Sequence, residues 1–128
     1  MATSSYEKKV ENLLKGKVSY KREVTFPGLS GMKNTPLRFD FAIYNKGLLL
    51  CLIEVDGEYH FHPIHGKSEF RRQQAYDQKK NHYCLLKNIK LIRIPYWEIE
   101  NLTYEKIFTN PHFVVTDKRH NYILKPPK

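Results

Sequence analysis

The chain has 128 residues, 41% hydrophobic and 13% aromatic, which suits one globular domain with a core and excludes two ordinary domains. Its 22 basic and 13 acidic residues give a formal net charge of +9, which favours a polyanion such as nucleic acid as partner. Its apolar runs are too short for a membrane span, and residues 1–14 lack a signal-peptide core, so we expect no membrane partner and a cytoplasmic location.

The N-terminal part of the chain predicts a helix, a strand and a loop. Residues 5–15 place apolar side chains at helical spacing behind a capping-box pattern. Glu7 and Glu11 lie one turn apart on this helix, either as solvated surface or with one of them reaching an acidic cluster. Residues 18–26 alternate as a strand, and residues 27–36 form a loop rich in Gly and Pro. This loop is a mobile flap, a DNA-contacting loop or a plain connection.

Two stretches, residues 37–44 and 48–56, predict a β-hairpin. The first is rich in aromatic and branched side chains. The second begins with six apolar residues, as in a strand covered on both faces. With residues 45–47 as the loop, Tyr44 is expected to pair with Leu48.

This register brings acidic side chains together at the exit of the hairpin. Asp40 pairs with Leu52, and because side chains alternate between faces, Asp40, Glu54 and Asp56 share one face. Glu54 is then a diagonal neighbour of Asp40, and a slip of one residue would separate them. Such oxygen pairs bind hard cations, so the pattern predicts a Mg²⁺ site at Asp40 and Glu54. The alternative is that these acids are structural and pair with basic side chains or solvent.

A histidine-rich loop and a long helix follow the hairpin. Residues 57–67 form the loop, and residues 68–87 predict the helix, with Ser68 as its cap. Apolar side chains are expected on the inner face of the helix, namely Phe70, Ala75, Tyr76, Tyr83 and Leu86. Basic side chains are expected on its outer face, namely Arg71, Arg72, Lys79, Lys80 and Lys87.

The C-terminal part predicts a strand, a short helix and a tail. Residues 90–95 form the strand, and a strand–helix–strand order predicts that it lies parallel to its predecessor. Thr103 is expected to cap a short helix that ends at Phe108. Residues 111–128 are expected to form a short strand and a basic tail, so that 1–128 is a single domain with a core of about residues 5–110. The two cysteines, Cys51 and Cys84, are expected to be buried free thiols.

The order helix, acidic hairpin, helix, strand resembles the PD-(D/E)XK nuclease superfamily. Within it, the chain is similar to the branch of the very-short-patch mismatch repair endonuclease and the phage homing endonucleases with the EDxHD motif. The matching residues are Arg38-Phe39-Asp40-Phe41, Ile53-Glu54-Val55-Asp56-Gly57, His60, Arg72, Gln73, Asp77 and Leu91-Ile92-Arg93-Ile94-Pro95. The resemblance implies an α/β fold with a restriction-endonuclease-like three-layer core, in which a central mixed sheet of about four strands is flanked by helices.

The resemblance also implies a function. It is that of a DNA endonuclease that hydrolyses phosphodiester bonds with Mg²⁺, for which Mn²⁺ can substitute, in a bacterial or phage-infected cell. Nicking and double-strand cutting both stay open, as does the biological role, from homing to DNA processing. A homodimer is left open, and the chain has no phosphate loop or Rossmann glycine pattern, so no nucleotide cofactor is expected.

Roles for individual residues are carried over from the resemblance. Asp40 is the central metal ligand, and Glu54 or the backbone carbonyl of Val55 completes the site. His60 is the general base or orients the water, and Asp77 orients His60. The predicted catalytic set is Glu11, Asp40, Glu54, Asp56, His60, Gln73, Asp77 and Lys80, and the predicted nucleic-acid contacts are Lys33, Arg38, Lys67, Arg71, Arg72 and Lys79.

One position departs from the pattern of the superfamily. Asp56 stands where the superfamily has a lysine, so Lys79 or Lys80 on the helix, or His60, would take over the role of that lysine. Because of this departure, a nuclease-fold protein that binds nucleic acid or a host protein without cutting is a second candidate.

A third candidate is an HNH-type nuclease. It would use the loop histidines together with residues of the helix that follows them. Its site would consist of His60, His62, His65 and Asn81-His82.

Overall fold

The computed structural model describes residues 4–116, which form a four-stranded sheet and three α-helices. In chain order these are α1 (Ser5–Leu14), β1 (Ser19–Val24), β2 (Phe39–Asn45), β3 (Leu48–Asp56), α2 (Lys67–Leu86), β4 (Leu91–Pro95) and α3 (Tyr104–Thr109). The strands lie in the order β1-β2-β3-β4, antiparallel except for the parallel pair β3 and β4. The predicted α/β class, the mixed sheet of four strands and the parallel last strand are confirmed. No helix within residues 4–116 is long and apolar enough to cross a membrane.

Apolar side chains form two clusters that bring different helices to the sheet. One cluster joins the sheet residues Phe41 and Ile53 to Val10 of α1 and Ile107 of α3. The other joins Leu52 and its neighbours to residues of α2. Cys51 lies in the first cluster and Cys84 in the second, and both are buried free thiols, as predicted.

Two of the three predicted helix caps are confirmed. Ser4 Oγ accepts a hydrogen bond from the N–H of Glu7 at 3.1 Å, and Thr103 Oγ1 caps α3 in the same way. The predicted cap at Ser68 is wrong, because α2 already begins at Lys67 and Gly66 precedes it without a side-chain cap. With φ of 96°, Gly66 supplies a backbone turn that L side chains rarely adopt.

The C-terminal part differs from the predicted short strand. Pro111–Phe113 form a 3₁₀ turn, and Val114 makes only an isolated bridge to Ile92. Residues 117–128 of the predicted basic tail lie outside the described residues.

The hairpin of β2 and β3 differs from the predicted register by two residues. Tyr44 pairs with Leu49, not Leu48, because only residues 46–47 form the turn. Both have positive φ, 50° and 78°, as a type I′ turn requires. A bulge after Ile43 then adds a second shift, so that Leu52 pairs with Ala42 instead of Asp40. Since two single shifts preserve the alternation of faces, Asp40 and Glu54 still share a face.

The inner face of α2 is apolar as predicted at Tyr76 and Tyr83, which pack partly buried against the second cluster, but it also buries a lysine. Its buried residues are Lys80 and Cys84, whereas Leu86 is 70% exposed and Ala75 is also exposed. Helical spacing from Lys80 places Asp77 on the same face. The helix therefore turns polar residues towards the acids of β3.

Candidate metal and acid–base site

Asp40 of β2 and Glu54 of β3 are bound to each other's strands. Oε1 of Glu54 accepts the backbone N–H of Asp40 at 2.8 Å, and Oδ2 of Asp40 accepts the N–H of Val55 at 2.7 Å. These two bonds cross between neighbouring strands, so they fix both carboxyl groups relative to the sheet. The predicted convergence of the two acids is therefore present, although the predicted register is wrong.

Asp40 lies in a negative environment. Burial and the charge of Glu54 raise the pKa of Asp40 well above its ordinary value, although the hydrogen bond from Val55 opposes this rise. The carboxyl group of Glu7 raises it further, through its charge and a hydrogen bond. A nearby cation would remove the cost of ionising Asp40.

Glu7, rather than the predicted Glu11, is the glutamate of α1 that acts on Asp40. Glu11 instead accepts a hydrogen bond from the hydroxyl of Tyr20 at 2.9 Å. The guanidinium of Arg22 pairs with both glutamates, at 3.0 Å from Glu7 and 3.6 Å from Glu11. The two glutamates are one helical turn apart, and the sequence alone gives no signal that distinguishes them.

Lys80 brings a positive charge to the site from α2. Its ammonium group donates to Oε2 of Glu54 at 2.9 Å, and the residue is only 8% exposed. The expectation that Lys80 faces outward with the other basic residues of α2 is therefore wrong. Lys79, the other candidate for the displaced lysine, donates instead to the backbone carbonyl of Ser30.

Asp56 is held by Arg93, a residue of β4 to which sequence reasoning gave no role. Oδ1 of Asp56 accepts from the guanidinium at 2.8 Å, and both side chains are buried. Burial raises the pKa of Asp56, and the charge of Arg93 opposes that rise. Arg93 also donates to Oδ1 of Asn81 at 2.7 Å. The signal for Arg93 was its position, since a charge within an otherwise apolar strand must be buried with a partner.

His60 forms a pair with Asp77 of α2. Nδ1 of His60 lies 2.8 Å from Oδ2 of Asp77, and Nε2 of Gln73 donates to Oδ1 of Asp77 at 2.9 Å. Burial alone lowers the pKa of His60, but the bond to Asp77 and the charges of Asp56 and Asp77 outweigh it, so the pKa is raised. For Asp77, burial raises the pKa, but His60 and the nearby Arg93 lower it below its ordinary value. The sequence-predicted contact between His60 and Asp77 is therefore present.

The predicted nucleic-acid contacts lie in different surroundings. Lys33, Lys67 and Arg71 are exposed. Arg38 pairs with Glu23 at 3.4 Å, and Arg72 pairs with Glu69 at 2.9 Å. Exposed pairs of this kind are weak, so both arginines can exchange their partner for a phosphate.

The metal-binding capacity of the site is limited to a pair of carboxylates. Within residues 4–116 no group of three or more His, Cys, Asp or Glu side chains could hold a metal ion. Asp40 and Glu54 offer only oxygen ligands, and so does the carbonyl of Val55 that the resemblance adds to them. Mg²⁺ typically binds through one or two carboxylates, with waters and substrate phosphates as its other ligands.

The loop histidines do not gather around one point. His60 bonds to Asp77, whereas Nε2 of His62 lies 3.3 Å from the hydroxyl of Tyr96. His65 lines a cavity of about 220 Å³ that is bordered by Tyr6 and Tyr59.

Comparison with models of protein families, with curated proteins and with solved structures found no match for this chain.

Proposed function

We propose that the protein is a Mg²⁺-dependent endonuclease that hydrolyses phosphodiester bonds in DNA. The observation that carries this proposal is the fixing of two acids at one place in the sheet: the side chain of Glu54 accepts the N–H of Asp40 at 2.8 Å, and the side chain of Asp40 accepts the N–H of Val55 at 2.7 Å. The order helix, three antiparallel strands, helix and parallel strand supports the restriction-endonuclease-like core that the resemblance implies. The net charge of +9 supports DNA as the partner. A cytoplasmic location in a bacterial or phage-infected cell belongs to the same proposal.

Asp40, Glu54 and the carbonyl of Val55 would hold the cation. The chemistry of this donor set suits Mg²⁺, and the raised pKa of Asp40, caused by burial and by its acidic neighbours, indicates negative charge without full compensation. When bound, a divalent cation polarises a phosphate and lowers the pKa of a bound water.

His60 is the proposed general base. A carboxylate only accepts hydrogen bonds, so the Nδ1–H of His60 donates to Asp77, and Nε2 is left as the acceptor for a proton from water. Asp77 fixes the tautomer and stabilises the imidazolium that forms. A raised pKa makes His60 a stronger base than a free histidine.

Lys80 is the proposed replacement for the lysine that Asp56 displaces. Its ammonium, 2.9 Å from Glu54, brings positive charge to the place where a phosphate would gain negative charge. Arg93 neutralises Asp56, which would otherwise add a further negative charge and repel the substrate.

A non-catalytic protein that binds nucleic acid or a host protein is the second candidate, and one observation favours it. Several acids at the site already have partners: Glu54 binds Lys80, Asp56 binds Arg93, and Asp77 lies against His60. A network of this kind can serve stability alone.

A plasmid assay separates the two candidates. Supercoiled DNA is incubated with wild type, with His60→Ala and with the matched variant His62→Ala, in Mg²⁺ and in EDTA. We expect wild type and His62→Ala to convert supercoiled DNA to nicked or linear DNA in Mg²⁺ only. The rate of this conversion should be lower by about a hundredfold or more with His60→Ala. DNA binding without conversion under any condition supports the second candidate.

A further inference from the structure

A groove lies between the loop before β2 and the N-terminal half of α2. Its cavity has a volume of about 420 Å³ and is bordered by Met32, Lys33 and Leu37 from the loop and by Arg72 and Tyr76 from the helix. We propose that this loop–helix groove holds the sugar–phosphate backbone of a DNA strand, with Lys33 and Arg72 contacting phosphates. This inference rests on the proposed function and assigns part of the DNA path to it.

The loop wall of the groove is fixed to α2. The hydroxyl of Tyr76 accepts the N–H of Met32 at 3.0 Å, and Lys79 donates to the carbonyl of Ser30. Gly31 packs so closely on Tyr76 that an added Cβ would lie 2.7 Å from the aromatic ring. These contacts hold the loop, here called the arm, against α2, and Gly31 leaves room for the ring of Tyr76.

The turn of the arm has a costly backbone. Lys33 and Asn34 have positive φ of 53° and 57°, a conformation that lysine seldom adopts and that asparagine tolerates better. Strain of this kind persists only where surrounding contacts impose it, and it clusters at ligand clamps. The contacts of the arm with Tyr76 supply that constraint, and Lys33 lies on the exposed turn.

The groove reaches the candidate site through Gln73. This side chain borders the groove, and its Nε2 donates to Oδ1 of Asp77 at 2.9 Å, next to His60. At the other wall, Leu37 lies three residues before Asp40. A strand lying in the groove would therefore pass beside both halves of the site.

The charges of the groove suit a polyanion. Lys33 is exposed. Glu69 compensates the charge of Arg72 through an ion pair in which both side chains are about half exposed. A phosphate can replace Glu69 in that pair, because exposed ion pairs contribute less than about 1 kcal/mol. Lys79 is assigned differently from the sequence prediction, since its contact with Ser30 makes it part of the arm instead of a phosphate ligand.

Fluorescence anisotropy with a labelled DNA duplex in EDTA tests the groove without involving cleavage. Lys33→Ala and Arg72→Ala are compared with Lys87→Ala, which removes one charge at the opposite end of α2. Each groove substitution should weaken binding by roughly fivefold at 0.15 M salt and reduce the slope of log K against log salt by about 0.9. Lys87→Ala should change both quantities much less.

A second variant tests the arm without changing charge. Gly31→Ala should displace the loop from Tyr76 and weaken DNA binding, whereas Ser30→Ala, which adds no atoms, should not. Groove variants that behave like Lys87→Ala would overturn the inference while leaving DNA as the partner. A wild type that binds no DNA would overturn both proposals. If poly-glutamate binds as tightly as DNA, and the groove variants bind it as weakly as they bind DNA, the groove would be assigned to an acidic protein instead.

Discussion

Two aspartates on the same sheet face, the buried Asp56 and the half-buried Asp40, have neighbours of opposite charge. Asp56 lies 2.8 Å from Arg93, a cation that cannot lose its proton, so its charge is compensated within the chain. Asp40 instead lies beside Glu54 and Glu7, and its pKa is raised well above that of a free carboxyl group by burial and by these acids. Burial raises the pKa of both acids, so the difference between them lies in the sign of the charges beside them.

The two acids contribute to the stability of the fold with opposite sign. A protein gains stability by pairing a buried carboxylate, and it loses stability by crowding one with others. The Asp56–Arg93 pair ties β3 to β4. The crowding of acids at Asp40 is a cost to the fold that the cation of the proposed function would relieve.

Neutralising Asp40 should remove most of the proposed nuclease activity. Asp40→Asn keeps the shape and the acceptor for the N–H of Val55 but removes the charge, so cleavage of plasmid DNA in Mg²⁺ should fall by more than about a hundredfold. DNA binding should survive or tighten, because a repulsive charge is gone. Glu105→Gln, an exposed acid of α3, is the control and should retain activity. Cleavage by Asp40→Asn at the wild-type rate would show that this acid is not part of the reaction.

The two aspartates should respond to neutralisation with opposite changes in stability. Asp56→Asn leaves the buried Arg93 without its closest anion and should lower the free energy of unfolding by about 3 kcal/mol. Asp40→Asn removes a crowded charge and should raise the free energy of unfolding at neutral pH by about 1 kcal/mol or more. Urea unfolding at pH 7.5 measures both. Equal losses in the two variants would mean that Asp40 is a structural acid as well.

Magnesium should protect the fold through Asp40. Because folding raises the pKa of Asp40, the folded state holds this proton more tightly, and stability falls as pH rises from about 3.9 through the folded-state pKa. Above that range, Mg²⁺ at ten times its Kd should restore about 1.4 kcal/mol. Urea midpoints at pH 7.5 with and without Mg²⁺ test this, with Asp40→Asn as the control. An equal gain in that variant would place the binding elsewhere.

The smallest expected effect is a change in the pH dependence of cleavage. His60 must be neutral to accept a proton, and its bond to Asp77 outweighs burial and raises its pKa, so activity should rise as pH passes above the ordinary histidine value. Asp77→Asn removes that stabilisation, and the acidic limb of the pH profile should move to lower pH. The residual activity should also be lower, because the tautomer of His60 is no longer fixed. If the acidic limb of the pH profile does not move in Asp77→Asn, the group that titrates there is not His60.

The sequence predicted the strands and the acids because both have strong local signals. Six apolar residues before Glu54 identify a buried strand, and Asp40 stands within an aromatic one. The register was wrong by two residues, since neither the two-residue turn nor the bulge after Ile43 has a signal that hydrophobic pattern alone reveals. The contact between Asp40 and Glu54 was nevertheless predicted, because an even shift keeps faces unchanged.

Residues whose position depends on packing between elements could not be predicted. Apolar periodicity assigned Leu86 to the core and Lys80 to solvent, whereas the acids of β3 draw Lys80 inward and leave Leu86 exposed. Similarly, Glu7 and Glu11 are equivalent by spacing, and only the rotation of α1 against the sheet selects Glu7. Hydrophobic pattern identifies which elements form a core, but it does not identify polar partners that meet within it.

The most direct test of the shared cation is anomalous diffraction from a crystal soaked in Mn²⁺. We expect one peak bound by carboxylate oxygens of both Asp40 and Glu54, and no such peak in crystals of Asp40→Asn. A wild-type crystal with no manganese between these side chains, at a concentration that saturates binding in solution, would contradict this expectation.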